Sequence, residues 1–128
     1  MITKDQKAYF DTFGFICLPE QFSPKEMEAI TDEADRLWEE DRGGRPLGED
    51  QSIQEFVEKG VVMTQMVADD RIWSTVEALL GPRFVWNGSE GNLNFSQSEH
   101  QWHTDRPGEP HATSYSFHLY LDKVRADT

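Results

Sequence analysis

Cysteine is nearly absent from this sequence, since Cys17 is the single cysteine in 128 residues. A chain with one thiol cannot form an internal disulfide, so its fold must depend on apolar burial and hydrogen bonding. Cys17 lies in an apolar run at residues 15–18, and free thiols in such surroundings are usually buried. We therefore expect an inert, buried thiol rather than a nucleophile, and a reducing compartment.

Basic residues and long apolar runs are also scarce. Twelve Lys and Arg accompany 24 Asp and Glu, which gives a formal net charge of −12 at pH 7. Such a chain repels phosphate backbones, so nucleic acid is not an expected partner. No stretch approaches the length of a membrane span, and the polar N-terminal residues lack the apolar centre of a signal peptide. These absences favour a cytoplasmic protein with no membrane partner.

Several catalytic motifs are missing as well: we find no serine or cysteine nucleophile motif, no glycine-rich phosphate loop and no paired-cysteine zinc site. What remains is enough apolar material for one small domain, with 37% hydrophobic and 12% aromatic residues. Trp38, Trp73 and Trp86 lie in apolar contexts, and we expect them in the core.

The first part of the chain carries signals for helix starts. Thr3 with Gln6, and Ser23 with Pro24 and Glu26, have the spacing of capping boxes. Apolar residues follow the second start at helical spacing to about residue 40. A third helix is predicted from residue 69 or 70 to residue 80, where a Gly-Pro pair ends it. Residues 41–50 are predicted as a loop, residues 15–18 and 61–67 as strands, and residues 52–59 are ambiguous.

The second part changes character and breaks into short β-like pieces separated by turn residues. The predicted strands are residues 84–86, 92–96, 101–105 and 114–121. We therefore expect an α+β fold in which residues 1–82 supply helices that pack on an antiparallel sheet from residues 83–128. No further strand follows to cover the last one, so we expect a single, incomplete domain whose open sheet edge could pair with another chain.

The segment around His103 and Asp105 is the most informative for chemistry. Residues two apart in a strand project from the same face, so this imidazole and this carboxylate would point together. With one more histidine they would form the facial triad of non-heme iron(II) oxygenases. The motif alone also fits an exposed histidine beside a turn aspartate, and both interpretations remain open on these residues.

The order of these segments resembles the phytanoyl-CoA dioxygenase family. The resembling segments are residues 13–16, 79–81, 92–95, 102–105 and 119–122. The Trp-His-x-Asp segment is the specific part of the resemblance, and the segments before residue 81 are generic.

The resemblance implies a double-stranded β-helix, or jelly roll, that holds iron at its mouth. His103 and Asp105 would match two metal ligands, and Asn94 a position that hydrogen-bonds 2-oxoglutarate, although Asn94 also fits a polar residue that finishes a strand pair. The implied cofactors are Fe(II) and 2-oxoglutarate. The implied reaction is hydroxylation of a small organic substrate with dioxygen, since an aspartate at 105 favours hydroxylation over halogenation. The family's second histidine and its 2-oxoglutarate-binding arginine are expected after Thr128, so residues 1–128 alone are expected to be inactive.

Two alternatives remain. His100, His111 or His118 could supply the third ligand, although surface or core positions are the more common fate of such histidines. A non-catalytic, cupin-like β-sandwich binding module would instead use His103 and Asp105 structurally. The sequence leaves the substrate and the oligomeric state open.

Overall fold

The computed structural model describes residues 2–95, 103 and 114–122. Within them, helices and a small antiparallel sheet form a mixed α+β arrangement, which confirms the predicted class at that level. The elements are α1 (Lys4–Phe13), α2 (Pro24–Arg42), β1 (Gln51–Gln54), a 3-10 turn (Val57–Lys59), α3 (Val61–Val67), α4 (Asp70–Leu80) and β2 (Glu90–Leu93).

The predicted helix starts are confirmed by their capping geometry. At α1 the Thr3 amide donates to the Gln6 side chain at 2.8 Å, and the Gln6 amide donates back to the Thr3 hydroxyl at 3.1 Å. Ser23 and Glu26 form the same reciprocal pair at α2. At α4 the Asp69 carboxylate accepts from an amide of the first turn. These caps depend on residues within three positions of each other, which is why the sequence alone reveals them.

The prediction of a strand at residues 61–67 is wrong, because the structure forms α3 there. Met63 and Met66, three residues apart, both lie buried on the core side of this helix. Its N-cap, Gly60, has no side chain that could accept from the first amides. The carboxylate of Glu33 on α2 does so instead, accepting from the Val61 amide at 2.9 Å and the Met63 amide at 2.8 Å. A cap from another element thus overrides the β propensity of the local valines.

The core lies between α2, α3 and the β1 region. Trp38 of α2 packs on Phe56 with ring centroids 4.6 Å apart. Alternate residues of β1 are buried, so Ile53 faces this core. The other buried apolar residues are Phe22, Ile30, Ala34, Leu37, Met63, Met66 and Ile72. Trp73 and Trp86 are instead 49% and 52% exposed, so the expectation that all three tryptophans are core holds for Trp38 alone.

The sheet pairs β1 with β2 in antiparallel register, from Gln51 opposite Leu93 to Gln54 opposite Glu90. Gly91 is buried beneath the Phe56 ring, and a Cβ at this position would come within 2.6 Å of three ring carbons. Carbon atoms in van der Waals contact lie more than 3.4 Å apart. A glycine is therefore required where β2 crosses the ring.

Other strand predictions are corrected. Residues 15–18, 84–86 and 114–121 are described and have irregular backbone. In the described part of the chain, no strand pairs with them to supply the ladder hydrogen bonds that a strand needs. The predicted strand at 92–96 overlaps β2, which begins two residues earlier, at Glu90. Leu119 and Leu121 still pack against the core. Of the predicted strand at 101–105, only His103 lies among the described residues.

Two further findings concern the outer surface. Cys17 is exposed, because residues 15–18 do not enter a sheet, so the expected buried thiol is wrong. Among the residues that the structure describes, no helix has the length and apolar character needed to cross a membrane.

Candidate functional site

Asn94 is the first residue after β2. Its preceding neighbour, Leu93, pairs with Gln51 in the last rung of the sheet. Its following neighbour, Phe95, donates its amide to the Asp50 carboxylate at 2.9 Å. The Asn94 side chain itself is exposed, and within the described ranges it has no hydrogen-bond partner. The sheet thus presents a free amide group at the end of β2, which a carboxylate ligand could use.

His103 is exposed, whereas Asp105 lies outside the described residues. The shared direction of these two side chains therefore stays a prediction. Across residues 2–95, 103 and 114–122, the structure brings together no group of three His, Cys, Asp or Glu side chains that could hold a metal ion. His118 is also exposed and stacks on Tyr120, with ring centroids 6.3 Å apart.

The start of β2 is anchored by a carboxylate that the sequence did not single out. Glu58 accepts from the Trp86 indole Nε1 at 2.6 Å and from the Ser89 hydroxyl. Burial raises the pKa of Glu58, but the hydrogen bonds from Ser89 and Trp86 outweigh it, so the pKa lies below its ordinary value. Ser89 also accepts from the Val57 amide at 2.9 Å. These contacts fix the chain just before β2 against the 3-10 turn.

The start of β1 is anchored by Gln51, a buried polar residue. Its amide donates to the Trp38 carbonyl at 3.3 Å and to the Asp41 carboxylate at 3.0 Å, and its carbonyl accepts from Arg42 at 3.2 Å. All of its hydrogen-bonding atoms are engaged by the end of α2. This explains why a glutamine can be buried at this position without an unsatisfied group.

An open cleft of about 500 Å³ lies beside the start of β2. Its lining residues are Gln54, Glu55, Glu58, Asn87, Gly88, Ser89 and Glu90. Three carboxylates in this lining disfavour an anionic ligand such as 2-oxoglutarate. Neither Asn94 nor His103 lines it, so this cleft is separate from the predicted site residues.

The comparison with known families shows to which family the chain belongs. The profile of the family described as Phytanoyl-CoA dioxygenase (PhyH) matches residues 10–128, which is nearly the whole chain. The chain belongs to the phytanoyl-CoA dioxygenase family. No curated protein and no solved structure gives a match. The resemblance seen in the sequence is thereby confirmed, and with it the grouping among oxygenase-type enzymes.

Members of the phytanoyl-CoA dioxygenase family generally use Fe(II) and 2-oxoglutarate. An arginine that could bind a carboxylate of 2-oxoglutarate is therefore worth examining. Arg71 is not suited to this task. Its guanidinium donates to Glu26 at 2.7 Å, to Asp69 at 2.7 and 2.8 Å, and to the Gln21 carbonyl at 2.8 Å. It also lies 4.5 Å from the Phe22 ring centroid.

The ion pairs of Arg71 are visible in the acidities of its partners. Hydrogen bonds from Arg71 are the largest cause that lowers the pKa of Glu26 and of Asp69, each to about 2. The same contacts raise the pKa of Arg71 above its ordinary value. These hydrogen bonds hold the start of α4 against the start of α2. They occupy the guanidinium, so it cannot also form a bidentate pair with a carboxylate ligand.

Proposed function

We propose that this protein is an Fe(II)- and 2-oxoglutarate-dependent dioxygenase that hydroxylates a small organic substrate. The observation that carries the proposal is the family match over residues 10–128. The Trp-His-x-Asp segment at residues 102–105 supports it, because it supplies the expected pair of metal-ligand side chains within the matched range.

The residues present fit the proposed metal by the chemistry of their donors. His103 offers an imidazole nitrogen and Asp105 a carboxylate oxygen, the mixed set that suits non-heme iron(II). His103 is at the surface, where a metal can reach it. In the proposal these two side chains hold the metal together with a further histidine. When bound, the metal and 2-oxoglutarate would supply the oxidising chemistry, and the protein would supply orientation and exclusion of water.

Asn94 fits the proposed cosubstrate. Its exposed amide can donate to a carboxylate of 2-oxoglutarate, and its free state within the described residues leaves that donor available. We propose that residues 83–128 form the first strands of a jelly roll in a single oxygenase domain, with β2 as one of those strands. The helices α2 and α3 would then pack on its outer side.

The test is metal-dependent succinate formation by the full-length protein with Fe(II), ascorbate and 2-oxoglutarate. His103→Ala and Asp105→Ala should each abolish turnover, because the remaining ligands hold the metal too weakly. His118→Ala tests the alternative third ligand: retained turnover places the further histidine elsewhere, and lost turnover would assign that role to His118. Calorimetric titration with Fe(II) gives a second readout, in which both ligand variants should lose affinity.

Undiminished turnover in either ligand variant would contradict the assignment of His103 and Asp105. Absence of succinate from the wild-type protein supplied with metal would contradict the oxygenase proposal and favour a non-catalytic binding module.

A further inference from the structure

We propose that Asp50 is a positioning residue for Asn94, holding the end of β2 so that the Asn94 amide meets its ligand. The inference rests on the proposed function, in which Asn94 binds 2-oxoglutarate. It concerns a residue that lies 45 positions away in the sequence from the segment it holds.

The first step is the place of Asp50 in the sheet. The last pair of the β1–β2 ladder joins Gln51 and Leu93. Asp50 is the residue just before that pair on one strand, and Asn94 the residue just after it on the other. Within the described residues this is the last pair of the ladder, and the Asp50 side chain then accepts a hydrogen bond from the Phe95 amide at 2.9 Å. A carboxylate oxygen thus stands where a further strand carbonyl would otherwise accept.

The second step is the effect on Asn94. Leu93 is half-buried and packs against the core, so the backbone before Asn94 is fixed. The hydrogen bond to Asp50 fixes the backbone after it. Asn94 is therefore bracketed by two restrained neighbours, while its own side chain stays exposed. A restrained backbone leaves fewer orientations for the amide to lose when a ligand binds.

The third step separates position from charge. The Asp50 carboxylate is negative and lies next to a site proposed for a dicarboxylate, where its charge can only weaken binding. Its contribution must then come from its acceptor oxygen. Asp50→Asn keeps an acceptor oxygen of the same reach and removes the charge, whereas Asp50→Ala removes both. The two variants therefore move ligand affinity differently if Asp50 acts by position.

The experiment measures KM for 2-oxoglutarate and kcat by succinate formation, in the full-length protein. Asp50→Ala should raise KM by about 3–10-fold, the factor that corresponds to one lost hydrogen bond, with a smaller change in kcat. Asp50→Asn should stay within about twofold of wild type or bind slightly tighter. Glu49→Ala is the control, because Glu49 is an exposed neighbouring carboxylate with no hydrogen bond in the described part of the chain.

A double-mutant cycle with Asn94→Ala makes the test specific. If Asp50 acts through Asn94, Asp50→Ala should add no further increase in KM once Asn94 is already alanine. An equal increase in both backgrounds, or a KM for Asp50→Ala that matches Glu49→Ala, would overturn the proposal.

Amide hydrogen exchange at Phe95 provides a readout that needs no activity. Exchange should accelerate in Asp50→Ala and stay near wild type in Asp50→Asn. If the wild-type protein forms no succinate, the proposed function fails by itself, and the exchange rates still decide whether Asp50 holds the end of β2. Unchanged exchange in Asp50→Ala would refute the positioning role in either case.

Discussion

Glu33→Ala should destabilise the protein by removing the cap of α3. The carboxylate accepts from two amides: its hydrogen bond with the Val61 amide is exposed, and its hydrogen bond with the Met63 amide is partly buried. Water can replace the carboxylate at Val61 but less readily at Met63. Losing a helix N-cap costs about 0.5–2 kcal/mol, and an unpaired buried amide about 1–3 kcal/mol. We expect a total of about 1–3 kcal/mol, because the two costs overlap.

The measurement is urea unfolding, with Glu28→Ala as the matched control. Glu28 is exposed on the same helix, and its side chain makes no hydrogen bond with the described residues, so the change in helix propensity is shared and cancels. Equal free energies of unfolding for the two variants would refute the argument that Glu33 caps α3.

A substitution at Gly60 gives a second test of the contact between Glu33 and the start of α3. A Cβ at Gly60 would lie 2.6 Å from the Glu33 carboxyl carbon. Gly60→Ser in the wild-type background should therefore displace that carboxylate and cost about 1–3 kcal/mol. In the Glu33→Ala background only the end of the Met63 side chain, 2.8 Å from that Cβ, remains in the way. The serine hydroxyl can then cap α3 itself, so the same substitution should cost clearly less than it does in the wild-type background. Destabilisation of the same size in both backgrounds would show that the two residues do not interact.

Three other perturbations have defined outcomes. Gly91→Ala should lower the free energy of unfolding by about 1–3 kcal/mol, because the added carbon meets the Phe56 ring; a neutral result in urea unfolding would mean that the ring moves aside. Glu26 and Asp69 have pKa values lowered to about 2 in the folded state, so their contribution is complete above about pH 5 and is lost as pH falls toward 2. Arg71→Met should flatten that acid loss of stability, and an unchanged pH profile would contradict the ion pairs. Glu58→Gln should change the fluorescence of Trp86, since its indole donates to that carboxylate, and an emission spectrum identical to wild type would argue against the contact.

The helix boundaries were predictable because their causes are local. Thr3 with Gln6, and Ser23 with Glu26, satisfy each other within one turn. The strand predicted at residues 61–67 failed because its competing cause is distant: the carboxylate that caps α3 is 28 and 30 residues away from the amides it accepts. The valines of residues 61–67 favour a strand, and the sequence of that segment does not indicate that a carboxylate from another helix will cap it.

The features of the candidate site also fall into two groups, local ones that the sequence predicted and long-range contacts that it did not. His103 and Asp105 are separated by one residue, so spacing alone suggested a shared face. The segment that contains them lies within the range of the family match, and the shared face stays a prediction. The contact of Asp50 with Phe95 and the anchoring by Glu58 join segments that are far apart in sequence. A periodic pattern predicts which face of an element a residue occupies, but it does not predict which side chain of another element contacts that face.

The hydrogen bonds of Gln51 have a consequence for variation in chain length. They join the end of α2 to the start of β1, and so they close the base of the loop at residues 43–50, all of which are exposed. Because the base is closed independently, doubling the length of this loop should cost only about 0.6 kcal/mol of closure entropy. Inserted residues near Gly44 would then extend into solvent while Asp50 and β1 keep their places. The protein can thus gain new surface at this loop without disturbing the strand that leads to Asn94.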